Sequence, residues 1–306
     1  MKNKLHKKYR YQNSDYPTVA RKKRVSLFVV ITACLLVFSD IQVALSEELS
    51  IGVFPRRNTT NTMKMFTPLA KHLSTELKMG IKIQTAKNFD LFWNDVLAGK
   101  YDIVHYNQLH YILSKKKVGY QVFAKNEEFG KSMIAPAIVV RNDSNINSIK
   151  GLKGKTVIFG GGKLAMISFI GAHSILRESD LDGSDFRFMF SRNPPSATIA
   201  TFYQKADAAG VADIALDVPA IRNRVNVGEL KYLATGTAQP HIPWAFHPSL
   251  SATTRAKVVN AFLTLNKTPS GKYALKKAAL TNILPATDEE YDISRKIYQN
   301  YIDKAK

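Results

Sequence analysis

From Leu49 onward the chain alternates short apolar runs with stretches whose apolar residues recur every three or four positions. That alternation restricts the fold more than any other feature of the sequence. Residues 49–54 read as a strand. Residues 63–77 follow as a helix with Phe66, Leu69, Leu73 and Leu77 on one face, and 81–84 read as a second strand. Asn88 is placed to cap a helix whose inner face is Phe89, Phe92, Trp93, Val96 and Leu97 and which Gly99 ends; 101–105 make a third strand. A β-α-β-α-β order of this kind predicts an α/β fold with a parallel sheet flanked by helices.

The pattern then restarts. Residues 135–141, 155–159, 207–211 and 230–234 read as strands, with helices over 164–177 and 198–204. The tail reads as helices, one over 253–265 and one from Asp288 with a Thr287/Glu290 capping box and an inner face of Ile293, Ile297 and Tyr301. Two α/β units with returning helices predict a hinged clamshell: lobe 1 over 47–140 and 235–306, lobe 2 over 141–234. Ligands of open α/β sheets sit at the carboxyl ends of strands, so both lobes turn their strand-end loops toward one cleft.

The first 46 residues form a separate unit. Arg21, Lys22, Lys23 and Arg24 precede an apolar run over 25–38, and Ala44-Leu45-Ser46 follows. A basic region, an apolar core and small residues two apart make a secretory signal, with cleavage expected after Ser46 and a periplasmic destination. The alternatives are retention of the run as a membrane anchor, or lipid on Cys34 within Ile31-Thr32-Ala33-Cys34. Cys34 is the only cysteine, so cleavage after Ser46 leaves a chain without disulfides or thiol chemistry.

Charge narrows the partners. The formal net charge is +20; residues 1–46 carry nine Lys/Arg and two Asp, which leaves +13 on residues 47–306. A basic surface favours anions, and no helix-turn-helix, zinc-finger or RNA-binding signature points to nucleic acid. The histidines show no metal-ligand spacing and no Gly-x-Ser-x-Gly elbow occurs, so the expectation is a non-enzyme without metal or cofactor.

Five strand ends carry the candidate ligand groups. Phe54-Pro55-Arg56-Arg57 offers an aromatic wall and two guanidinium groups that suit a phosphate or carboxylate, or that point to water. Tyr106, Asn107 and Tyr111 offer hydroxyl and amide donors, or structural packing. Gly160, Gly161 and Gly162 lie between a strand and a helix, where backbone N–H groups suit an anion or the residues allow a tight turn. Asn193 either faces the cleft or caps a turn, and Asp213 either meets an amine on the ligand or caps the next turn.

Five blocks carry a resemblance. Ile51-Gly52-Val53-Phe54-Pro55, Phe66-Thr67-Pro68-Leu69-Ala70, Gly99-Lys100-Tyr101-Asp102-Ile103, Lys155-Thr156-Val157 and Ala206-Asp207-Ala208-Ala209 fall in the order seen in the phosphate/phosphite/phosphonate-binding receptors of ABC transporters. The resemblance covers nearly all of residues 49–300. It implies a two-lobed type II periplasmic-binding-protein fold, each lobe a mostly parallel sheet flanked by helices, with a hinge and an interlobe cleft. It further implies a monomeric transport receptor for a small anionic solute and an ABC permease in the inner membrane as partner. The family's Ser-Thr-Ser-Gly anion run falls on Leu164-Ala165-Met166-Ile167 here, with only Ser168 nearby as a hydroxyl. That departure leaves room for a different small solute, or for a membrane-anchored sensing ectodomain on the same fold.

Overall fold

The computed structural model describes residues 48–55 and 57–303. The leader with its apolar run, Cys34 and the expected cleavage point after Ser46 lie outside the described residues, as does Arg56. Among the described residues no helix is long and apolar enough to cross a membrane.

The chain begins as its alternation predicts. Strand β1 (Glu48–Val53) is followed by helix α1 (Thr59–Leu77), β2 (Gly80–Gln84), α2 (Phe89–Leu97) and β3 (Ile103–His105). β1 pairs in parallel with both β2 and β3. Local chemistry fixes the helix starts: Asn58 Oδ1 accepts from the Asn61 N–H, and Asn88 Oδ1 from the Leu91 N–H. Gly99 follows α2 at φ +66°, a left-handed conformation that suits glycine.

Next come helix α3 (Gln108–Val118), β4 (Gln121–Glu127), the short β5 (Met133–Ile134) and β6 (Pro136–Arg141). β7 (Thr156–Gly160) leads into a wide helical turn, Met166–Gly171, that continues as α4 (Ala172–Glu178). β8 (Arg187–Ser191), α5 (Pro194–Phe202), β9 (Ala208–Ala212), α6 (Pro219–Arg222) and β10 (Leu230–Thr235) complete the second unit. The chain returns through β11 (Gln239–Pro240) and β12 (Pro243–Phe246), then α7 (Ala252–Leu263), α8 (Pro269–Ala278), β13 (Asn282–Pro285) and α9 (Asp292–Asp303).

Two sheets result. The first has the order β13-β4-β12-β3-β1-β2 and the second β10-β6-β9-β7-β8, while β5 and β11 pair as a separate two-stranded ribbon. Both sheets are mixed rather than mostly parallel. β12 runs antiparallel to β3 and β4, β13 to β4, and β6 to β9 and β10. The returning strands enter from the other direction, which the βαβ pattern of the first half does not reveal. Strand β6, assigned to lobe 1 by a boundary at 140, is hydrogen-bonded inside the second sheet.

Each sheet is apolar on both faces, the condition under which helices cover both sides. In β6, Ile138 and Val140 point into one cluster with Phe159, Phe169 and Leu176. Ala137 and Val139 point into another with Ala197, Val211 and Ile221. The first sheet places Leu69, Leu73, Trp244 and Phe262 on one side and a tyrosine-rich cluster on the other. Trp244 is fully buried, and its indole N–H donates to Asn126 Oδ1 at 2.8 Å.

Helix α9 ties the two units together. Its first-sheet end is held by Asp288, which accepts from Tyr111 and pairs with Lys115 and Arg295. Farther along, Ile297, Tyr298 and Tyr301 pack on the second sheet's cluster, and Arg177 Nη1 donates to the Tyr301 carbonyl at 3.0 Å. The expected capping box is present in part: Glu290 Oε1 accepts from the Thr287 N–H at 3.0 Å. A short turn, Glu289–Tyr291, precedes the helix proper.

Candidate functional site

The strand ends of the two sheets enclose a cavity of about 500 Å³. From the first sheet it is lined by Phe54, Arg57, Phe89, Asn107 and His110; from the second, by Gly160, Gly161, Gly162, Lys163, Ser168, Arg192 and Asn193. Eight of the expected ligand residues therefore converge here, and Arg56 lies outside the described residues.

The glycine turn is built by close approach. A Cβ on Gly160 would stand 2.3 Å from Pro194 Cα, so only glycine lets β7 end against the start of α5. Gly161 has φ +97°, and its N–H donates to the Ser191 carbonyl at 2.9 Å. The Gly162 carbonyl accepts from the Ala165 N–H at 2.9 Å, closing the turn. Ser168 Oγ donates back to the Gly160 carbonyl at 2.5 Å, so this hydroxyl braces the turn and keeps only acceptor capacity toward the cavity.

Asn193 both lines the cavity and caps α5, accepting from the Ser196 N–H at 3.0 Å and the Ser196 hydroxyl at 2.9 Å. Pro194 and Pro195 fill the first positions of α5 and have no N–H to offer. The start of α5 is therefore a poor anion seat, because the amides that would point forward are either missing or used by Asn193.

Asn107 bridges the walls. Its Oδ1 caps α3 by accepting from the His110 N–H at 2.9 Å, and its Nδ2 donates to the Leu164 carbonyl at 3.1 Å. One side chain thus links the first sheet's strand end to the segment that leaves the glycine turn.

Three expected ligand residues lie elsewhere. Tyr106 and Tyr111 are fully buried in the tyrosine cluster with their hydroxyls engaged, Tyr106 with Ser114 Oγ at 2.8 Å and Tyr111 with Asp288. Tyr111 sits inside α3 rather than in a strand-end loop, which turns its ring away from the cavity and toward Tyr291. Asp213 accepts from the Ala135 N–H and pairs with Lys131, both at 3.0 Å. Its carboxylate braces the segment between β4 and β6 rather than lining the cavity.

The sequence also left contributors unremarked. Lys163 directly follows the glycine run, a position where a cation beside an anion turn was a usable signal. Arg224 comes from the segment after α6 and had none. With Arg57 and Arg192 they place four cations on the cavity wall against the carboxylates Asp90 and Glu128. Glu128 is buried, with Asn126 Nδ2 at 3.4 Å and His241 Nε2 at 4.0 Å. The remaining lining is largely apolar and includes Phe66, Phe89, Leu164, Met166, Ile167 and Ile199. Such a site can hold an anion and cover it with hydrocarbon surface. Among the described residues no group of His, Cys, Asp or Glu is placed to hold a metal ion.

Comparison with known proteins bears on the family and the fold. The family model described as "ABC transporter, phosphonate, periplasmic substrate-binding protein" matches residues 51–291. The phosphonates-binding periplasmic protein of Escherichia coli (strain K12) is 24% identical over 238 residues, 76% of this chain and 70% of the relative. Among solved structures, a binding protein component of an ABC phosphonate transporter from Pseudomonas aeruginosa superposes with a TM-score of 0.72 at 15% identity, covering 84% of this chain and 87% of that one. PhnD1 from Prochlorococcus marinus (MIT 9301), solved in complex with methylphosphonate, gives a TM-score of 0.73 at 17% identity, covering 83% and 98%.

Proposed function

The chain belongs to the ABC-transporter family of periplasmic phosphonate substrate-binding proteins, and from that membership we propose that it captures a phosphonate between its two sheets and delivers it to a permease. The observation that carries this reading is the convergence of Arg57 from one sheet with Lys163, Arg192 and the glycine turn from the other on one cavity. Each wall alone offers exposed cations worth little in water; between two walls the same groups act in a drier space.

The hinge is the ribbon of β5 and β11, where the chain passes between the sheets twice. On this reading the lobes divide there, with β6 through β10 forming the second lobe. Lys131–Asp213 and Asn107–Leu164 are contacts that favour the closed arrangement. Ligand drives closure only through contacts that the closed state alone provides, and a site with groups on both walls meets that condition. On this reading the cations of the cavity wall take the place of the missing Ser-Thr-Ser hydroxyls.

A thermal-shift screen of the purified protein tests the reading. Phosphonates are expected to raise the melting temperature in a concentration-dependent way, because a ligand of the folded state alone stabilises it. A panel of phosphonates, phosphite and phosphate that leaves the melt unchanged at millimolar concentration would remove the phosphonate reading and leave the fold.

A further inference from the structure

His110 is a cavity residue whose environment is costly for folding and useful for binding. It sits in the first turn of α3, 1% exposed, and neither ring nitrogen has a hydrogen-bond partner. Its ring stacks on Trp93, with centroids 4.9 Å apart and an interplanar angle of 27°. Stacking explains the ring; it does not explain two buried nitrogens, for which a phenyl group of similar shape would serve better. Burial holds the imidazole at a pKa of about 4, so it is neutral at pH 7 and offers one N–H donor and one bare nitrogen acceptor.

The surroundings indicate what would meet those nitrogens. Asn107, three residues earlier, touches Leu164 across the cavity, so the first turn of α3 abuts the segment leaving the glycine turn. The wall on either side is apolar: Phe54 and Phe89 pack edge to face at 6.0 Å, and Leu164, Met166 and Ile199 come from the facing sheet. A volume of about 500 Å³ exceeds what a tetrahedral head group alone fills.

We propose that His110 is a ligand-contacting residue and that its ligand is an organophosphonate with an apolar substituent. This inference rests on the phosphonate reading above. The neutral imidazole complements a singly protonated phosphonate, which presents both P–O⁻ to accept and P–OH to donate; a sulfonate has no O–H to give. The substituent occupies the phenyl-lined space and displaces water from it.

The test is calorimetric titration of methylphosphonate, benzylphosphonate and benzylsulfonate into the wild-type protein and into H110F and H110Q. Benzylphosphonate is expected to bind wild type at least about tenfold tighter than either of the other two. H110F keeps a ring on Trp93 and removes the orphaned nitrogens. It is expected to melt at or above the wild-type temperature without ligand while weakening benzylphosphonate at least about tenfold. H110Q restores a donor and an acceptor and is expected to retain most of the affinity. A merely structural histidine predicts the opposite pattern, a lower melt and unchanged affinity in H110F, and that result overturns the proposal. So does methylphosphonate or benzylsulfonate binding as tightly as benzylphosphonate. Wild type that binds neither phosphonate overturns the phosphonate reading itself, a distinct failure from binding that ignores residue 110.

Discussion

Gly160→Ala is expected to cost about 3 kcal/mol of stability, whereas Gly162→Ala, two residues away in the same turn, should change it by no more than about 0.5 kcal/mol. The difference lies in what each new methyl meets. At Gly160 it would stand 2.3 Å from Pro194 Cα and 2.6 Å from Pro194 N, backbone atoms that move only if the start of α5 moves. At Gly162 nothing lies within 4 Å, and the residue is not in the left-handed region. Urea unfolding of both variants reads the contrast. The first substitution should also weaken phosphonate binding, because Asn193, Arg192 and the turn itself are displaced together. Equal stability of the two variants would mean that β7 and α5 are not seated against each other as described.

Acid should destabilise the protein well above the pH at which carboxylates titrate. His110 and His173 are both held down to about 4, His110 by burial and His173 by burial together with the positive charge of Arg177. In the unfolded chain each titrates near the ordinary value of 6.5. Between pH 6.5 and 4 the unfolded state therefore binds more protons than the folded one, and stability falls as pH falls through that window. Each shift is worth on the order of 3 kcal/mol once pH 4 is reached. The Asp288 carboxyl adds to the loss below that: burial raises it, but hydrogen bonds from Lys115, Tyr111 and Arg295 hold it below its usual value, so its contribution disappears as it protonates. Urea midpoints at pH 7, 5.5 and 4.5 should decline steadily, and the H110F/H173F double variant should flatten the decline above pH 4.5. A midpoint that is constant from pH 7 to 4.5 would show that neither histidine is held neutral.

The first half of the fold was legible because its strands and helices are bounded by strong local signals. Asn88 before α2 and Gly99 after it are caps that work locally, and the one-sided stripe of α1 announces a single buried face. Helix α3 was missed for the opposite reason: Leu109, His110, Tyr111 and Ser114 are buried on several sides, so no stripe stands out. That miss moved Tyr111 from a helix interior to an imagined loop. Strands β12 and β13 were missed because Pro243-Trp244-Ala245-Phe246 and Asn282-Ile283-Leu284-Pro285 are four residues long, with prolines at their ends. They become strands through pairing with β4, which is remote in sequence.

The site was legible where it follows directly from a strand end, as for Phe54, Arg57, Asn107 and the three glycines. Arg224 joins it only through the approach of a distant segment, which no local pattern encodes. The substitution of Leu164-Ala165-Met166-Ile167 for the family's hydroxyl run was visible in the sequence. Its consequence, an apolar wall opposite Phe54 and Phe89, required the facing sheet to be in place.

Calorimetric titration of methylphosphonate and benzylphosphonate into wild type, Arg57→Ala and Arg192→Ala decides whether both sheets supply one anion site. Arg57 follows β1 in the first sheet and Arg192 follows β8 in the second. One-to-one binding by wild type and at least about a tenfold loss in each variant are expected, since each substitution removes a charged partner of the same bound anion. Wild-type affinity in both variants would contradict this expectation, placing the phosphonate outside the cavity that the two sheets enclose.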